Sequence, residues 1–105
     1  HFASTLKSNR SLFKQGWKLK AGRYGRNMFR RRRTATLVLV KPHGEVRYRD
    51  LDAGWLQVSK LGGLHVVFSR KGAARKILGL VTDDPEVSAA GLIQAYDRRW
   101  EAWIG

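Results

Sequence analysis

The residues best suited to chemistry lie in the last ten positions of the chain, YDRRWEAWIG, which continue the helical pattern of SAAGLIQA. An α-helix turns by about 100° per residue, so Tyr96 and Arg99 share one face. Glu101 lies about 140° from Tyr96 by the same rule. Arginine forks match phosphate oxygens, and hard divalent cations prefer oxygen ligands such as carboxylates. The helix therefore has a tyrosine and an arginine on one face, and its late carboxylate lies off that face.

A second candidate is the arginine run Arg30 to Arg33, just before the apolar segment that starts at Thr34. The functional interpretation is phosphate contact, and the alternative is a solvated charge run. Residues 1–41 contain twelve Lys and Arg and no acid, which favours phosphate contact. The residues predicted to bind DNA are Lys7, Arg10, Lys18, Lys20, Arg23, Arg26, Arg30, Arg31, Arg32 and Arg33.

Aromatic residues are interleaved with these bases at Phe13, Trp17, Tyr24 and Phe29. They could stack on unpaired nucleobases or cover a small core. A core role is favoured for Phe13 and Phe29, whereas both roles stay open for Trp17 and Tyr24. The acid pairs Asp50/Asp52 and Asp83/Asp84 could in principle bind a cation, but a strand edge and a helix start explain them better.

The elements that position these residues are mostly strands. Residues 12–29 are predicted to form loops with a short strand or helical turn. A β-branched, apolar or alternating pattern predicts a strand near the start and four consecutive strands in the middle: HFASTLK, TATLVLVK, EVRYRDL, LHVVFSR and KILGLVTD. The turns between the middle strands are PHG, KLGG and KGAAR. A terminal helix follows, with Asp83, Asp84 and Ser88 as capping candidates and Asp97 on its polar side.

The overall composition narrows the class of protein. The net charge of +13 favours phosphate polymers or anionic surfaces as partners. The absence of Cys excludes disulfides and Cys-ligated zinc and fits a cytoplasmic location. No apolar run is long enough to span a membrane. The chain does not begin with Met, which suggests a fragment or a processed chain.

Two segments carry a resemblance to a known family. LKSNRSLF, and later LVTDDPEVSAAGLIQAYDRRW, resemble the second half of the catalytic domain of bacterial insertion-sequence transposases of the DDE type. The similarity is greatest to the subgroup with a β-stranded insertion before the last catalytic acid. Tyr96 and Arg99 match the family's signature. The glutamate of that signature falls by count on position 103, which is Trp103 here.

The resemblance implies an α+β fold that is part of a ribonuclease-H-like domain. Residues 1–15 would be a strand and turn of the catalytic core, 16–82 a basic β-stranded insertion of about four to five strands, and 83–105 the start of the catalytic-glutamate helix. In the intact parent, two Mg²⁺ or Mn²⁺ ions would support DNA cleavage and strand transfer, with transposon ends as DNA partners and a homodimer allowed in the synaptic complex. The implied location is cytoplasmic and nucleoid-associated.

The implied site residues are Tyr96, Arg99 and Glu101, with Glu101 as the catalytic and metal-binding acid. Restoring two residues before Glu101 would bring it to the signature position, so a decayed copy or a shifted acid is implied. The alternative is a surface acid paired with Arg98. Because the family's two catalytic aspartates would lie before residue 1, this chain alone is expected to bind no metal tightly and to lack nuclease activity.

Two other functions compete with the transposase hypothesis. A basic, β-rich module that binds DNA or RNA without catalysis explains the charge and the aromatics equally well. An anionic-membrane binder is less favoured, because the terminal helix has few bases on its polar face.

Overall fold

A computed structural model describes residues 3–72 and 76–104, and side chains up to residue 97. The described part is mostly β, with seven antiparallel strands in one curled sheet and two helices. The elements are β1 Ala3–Leu6, β2 Ser11–Lys14, β3 Trp17–Lys20, α1 Ala21–Arg31, β4 Ala35–Lys41, β5 Gly44–Val58, β6 Gly62–Lys71, β7 Leu78–Thr82 and α2 Ala89–Ile104. The strand order is β1-β7-β6-β5-β2-β3, and β4 pairs with the first half of β5.

The long strand β5 organises the sheet. It pairs with β6 along most of its length, with β4 near its start and with β2 near its end. A β-bulge between Asp52 and Gly54 shifts the register, and Gly54 has a φ of +78° that favours glycine. The bulge adds local twist, which helps one continuous sheet to curl.

Each face of the sheet is covered by one helix. The side chains of the α1 face include Leu12, Leu56 and Phe68, and they form one core cluster with the buried side of α1. On the α2 face, Val67 and Leu80 pack with Leu92 and Ile93 of α2. Alternation along each strand therefore sends successive side chains into two separate cores.

The predicted fold class is wrong. The protein is not a β-stranded insertion followed by a helix within a ribonuclease-H-like domain, because one curled antiparallel sheet takes in every described strand. The N-terminal strand β1 pairs with β7, and β2 pairs with β5. These long-range pairings are set by tertiary packing, which local sequence patterns do not reveal.

The segment predicted as loops with a short strand or helical turn contains the hairpin β2–β3 and the whole of α1. Gln15 and Gly16 turn the hairpin with φ of +51° and +83°, as a type I′ turn requires. Helix α1 has no acid in its first turn and no side-chain cap, so local signals for it are weak. Packing of its buried side on the sheet stabilises it instead.

Gly25 lets α1 approach the sheet closely, because a Cβ at this position would lie 2.8 Å from Cδ1 of Phe68. We expect Gly25→Val to lower the free energy of unfolding by about 1–3 kcal/mol, as overpacking of a tight core does. Denaturant unfolding measures the change. Asn27→Val, at an exposed position of the same helix, is the matched control and should be near neutral. Equal stability of both variants would contradict the close packing.

Helix α2 has a side-chain cap at its start, and it contacts the sheet through Asp97, the last residue whose side chain is described. The predicted cap Ser88 is confirmed, since its Oγ accepts a hydrogen bond of 3.0 Å from the Gly91 amide. The predicted polar position of Asp97 is wrong, because Asp97 is buried and contacts Lys41 and Tyr48. No helix among the described residues has the length and apolar character needed to cross a membrane.

The contacts of Asp97 shift two pKa values, that of its own carboxyl and that of the Tyr48 phenol. Burial raises the pKa of the Asp97 carboxyl, but hydrogen bonds from Lys41 and Tyr48 and the charges of Lys41 and Lys71 outweigh it, so the pKa lies below its usual value. Burial, followed by the hydrogen bond to Asp97, raises the pKa of Tyr48 to about 12. Asp97 is thus held as a carboxylate and Tyr48 as a neutral phenol that donates to it.

Candidate nucleic-acid interface

The exposed side of α1 is a continuous basic surface. Ala21, Tyr24, Gly25 and Met28 are buried against the sheet, so the arginines of the helix point away from it. We call the following exposed residues the basic α1 surface: Arg23, Arg26, Arg30, Arg31, Arg32 and Arg33. No acid occurs in α1, so no charge within the helix offsets this surface.

The loop before β2 extends the basic α1 surface at the start of the helix. The Gly22 amide donates to the Ser8 carbonyl at 2.9 Å, which fixes this loop beside the helix. Lys7 is exposed there, and Lys20 donates to the Asn9 carbonyl at 3.1 Å. Arg10 is half-buried and donates to the Ser59 carbonyl at 3.4 Å, so it also has a structural role.

Lys18, with Lys20 two residues further along β3, lies on the other face of the sheet from most of the predicted DNA-binding residues. It lies directly opposite Phe13 in the β2–β3 ladder, and Phe13 points to the face opposite its buried neighbour Leu12. Lys18 is therefore on the α2 face of the sheet, away from the basic α1 surface. A single contact surface does not include all ten predicted residues.

The structure divides the aromatic residues into two groups. Tyr24 is buried and Phe29 packs against the core under α1, so both have structural roles. Trp17 is 73% exposed, and Phe13 is 41% exposed, contrary to the core role favoured for it. Trp55, half-exposed on β5, was not singled out from the sequence. Three rings are therefore accessible, but Phe13, like Lys18, lies on the face of the sheet opposite the basic α1 surface.

Four arginines converge at one end of α1. Arg26 and Arg30 of the helix and Arg49 and Arg70 of the sheet line a cavity of about 230 Å³, together with Phe29 and Ile77. We call this the arginine pocket. No acid lines it. Arg49 Nε donates to Thr34 Oγ1 at 3.1 Å, and the Arg49 guanidinium lies 5.8 Å from the centre of the Phe29 ring.

Of the catalytic residues implied by the resemblance, only Tyr96 has a side chain that the structure describes. Tyr96 is half-buried and packs against the core around Tyr48. It borders a cavity of about 270 Å³ with Lys71 and Leu78. The side chains of Arg99 and Glu101 lie outside the described residues, so their catalytic and metal-binding assignments stay predictions.

The acid pairs Asp50/Asp52 and Asp83/Asp84 include residues that make contacts within the fold. Asp52 Oδ1 lies 2.7 Å from His65 Nε2 and accepts a 2.8 Å hydrogen bond from the Gly54 amide. The other ring nitrogen of His65 lies 3.2 Å from the Asp84 carbonyl, so His65 links β5 to the segment before α2. Burial, followed by the charge of Asp52, raises the pKa of Asp50. Within the described part of the chain, no group of three or more His, Asp or Glu could hold a metal ion.

Sequence reasoning missed Arg49 and Arg70 as members of a site. The alternation of EVRYRDL placed Arg49 on one side of a strand, which was the available signal. Arg70 lies directly opposite Arg49 in the β5–β6 ladder, and this register depends on the bulge and on the turn between the strands. Only the paired strands show that the two arginines face α1 together.

Comparison with protein-family models, with characterised proteins and with solved structures gives no significant match to this chain.

Proposed function

We propose that this chain is a nucleic-acid-binding module that contacts phosphates through the basic α1 surface. The observation that carries the proposal is the segregation of charge on α1: one side is buried in the core, and the other side presents arginines with no acid in the helix. A surface of this kind attracts polyanions by counterion release. Arginine adds bidentate contacts to phosphate oxygens.

Phosphate contacts of this kind position a protein on nucleic acid without reading its sequence. DNA is the partner that the resemblance favours, and RNA presents the same phosphates. The transposase assignment, its Mg²⁺ or Mn²⁺ ions and a cytoplasmic, nucleoid-associated location stay predictions. The mostly β fold removes the ribonuclease-H-like domain from that assignment.

The proposal is tested by measuring the affinity of the full chain for a short DNA duplex with hydroxyl ends at several salt concentrations. We expect the logarithm of the binding constant to fall linearly with the logarithm of the salt concentration, with a slope of about −0.9 for each phosphate contacted. Several contacts along α1 therefore predict a steep slope. The same titration with single-stranded DNA and with RNA compares the possible partners. A binding constant that does not change with salt would contradict the proposal.

A further inference from the structure

The arginine pocket contains two pairs of like charges that face each other. Arg26 and Arg30 are four residues apart on α1, a spacing at which side chains are neighbours and like charges repel. Arg49 and Arg70 are direct cross-strand partners, and like charges directly opposite one another are destabilising. Four positive charges are thus gathered where separate positions would be more stable.

The protein does little to neutralise this charge. The described residues show no ion pair between these arginines and an acid, and the pocket lining is otherwise apolar, from Phe29 and Ile77. Arg70 Nε is enclosed and has no hydrogen-bond partner in the described structure. A buried donor left unsatisfied is costly, and such exceptions occur where a ligand or function compensates. An anion would relieve the repulsion of both pairs.

We infer that the arginine pocket is a binding site for a phosphate monoester dianion, carried by a nucleic-acid end or by a small phosphorylated molecule. A phosphodiester within a strand has a single negative charge. A monoester carries about −1.5 to −2 at neutral pH and offers three acceptor oxygens, which suits several guanidinium groups. The inference rests on the proposed function in that it extends phosphate binding from the surface of α1 to a built pocket.

Each side of the arginine pocket contributes differently to holding a phosphate. Arg49 is held by Thr34 and by the Phe29 ring, so its guanidinium is oriented before a ligand arrives. Arg26 and Arg30 come from the helix wall opposite β5 and β6 and complete the charge around the phosphate. Phe29 and Ile77 exclude water from one side of the pocket, which strengthens the charge-assisted hydrogen bonds.

The experiment compares short single strands of one sequence that end in a 5′-phosphate, a 3′-phosphate or only hydroxyls. Binding to the full chain is measured by fluorescence anisotropy, with the label at the opposite end. We expect a phosphorylated end to bind about tenfold tighter than a hydroxyl end, as expected for added hydrogen bonds between charged groups. Inorganic phosphate should raise the melting temperature of the wild-type protein and compete for the phosphorylated end.

The test variants are Arg70→Gln and Arg49→Gln, and the matched control is Arg47→Gln at an exposed position of β5 outside the pocket. Both pocket variants should lose the preference for a phosphorylated end and the response to inorganic phosphate, whereas the control keeps them. Without ligand, Arg70→Gln should melt no lower than the wild type, because it removes a cross-strand repulsion. Loss of the phosphate response without a lower melting temperature would show that Arg70 binds the ligand and is not needed to stabilise the fold.

The outcomes also separate this inference from the proposed function. Salt-dependent binding of hydroxyl-ended strands, with no effect of a terminal phosphate or of inorganic phosphate, would overturn the pocket and leave the proposed function standing. A response to inorganic phosphate that Arg70→Gln removes, with no binding of any strand, would support the pocket with a small phosphorylated ligand and overturn nucleic-acid binding.

Discussion

Replacing Asp97 with alanine is expected to lower the free energy of unfolding by about 3–5 kcal/mol, the range found when one partner of a buried ion pair is removed. The Tyr48 hydroxyl donates a hydrogen bond of 2.9 Å to Asp97 Oδ1, and Lys41 Nζ contacts Oδ2. Lys41 belongs to β4 and Tyr48 to β5. One carboxylate therefore ties α2 to two strands. Denaturant unfolding at neutral pH measures the loss.

Gln94→Ala, at an exposed position of α2, is the matched control and should change stability little. The free energy of unfolding measured at decreasing pH gives a second test. Because the folded pKa of Asp97 is lowered, its contribution is present above the usual value of 3.8 and is lost as the pH falls through the folded pKa. Asp97→Ala should remove that contribution. A loss below about 1 kcal/mol at neutral pH, the range of an exposed ion pair, would contradict the buried role.

Replacing Arg31 and Arg33 together with glutamine is expected to weaken nucleic-acid binding strongly. Both residues are exposed on the basic α1 surface and neither lines the arginine pocket. If each contacts one phosphate, the slope of log K against log salt falls in magnitude by roughly 1.8 on duplex DNA. The corresponding loss of affinity is about sixtyfold at 0.1 M salt.

The matched control for this variant is Arg47→Gln with Lys60→Gln, which removes the same charge from exposed positions of the chain outside α1. If binding depended on net charge alone, the two double variants would lose affinity equally. Such a result would contradict a localised interface on α1. We expect the control to keep a salt slope close to that of the wild type, because neither of its bases belongs to the basic α1 surface.

Local sequence patterns predicted β1, β4, β6, β7 and the first half of β5, but neither the β2–β3 hairpin nor the second half of β5. The segment LHVVFSR lies in β6, residues 78–82 of KILGLVTD form β7, and TATLVLVK lies almost entirely in β4. These segments are apolar and β-branched, so their preference for strands is largely local. The cap at Ser88 could be predicted for the same reason, since a capping side chain acts on its own helix. The turn KGAAR lies partly outside the described residues.

Local patterns failed where distant parts of the chain decide the outcome. Asp97 follows the polar side of α2 in the sequence, yet Lys41 and Tyr48 make it a buried group. Helix α1 has two glycines and no cap, which argued against a helix. Gly25 is required there because Phe68 fills the space that a side chain would occupy. Neither contact can be inferred without the sheet.

The charge of this protein, its bases before residue 42 and most of its strands can be inferred from the sequence alone, because composition and short-range preference need no folded partner. Tertiary packing joins the described strands into one curled sheet, and it buries one side of α1 while exposing the arginines of the other. Strand register decided that Arg49 and Arg70 meet, and helix packing added Arg26 and Arg30. A site built from separate strands and a helix depends on pairings between residues far apart in the chain, and those pairings arise from packing.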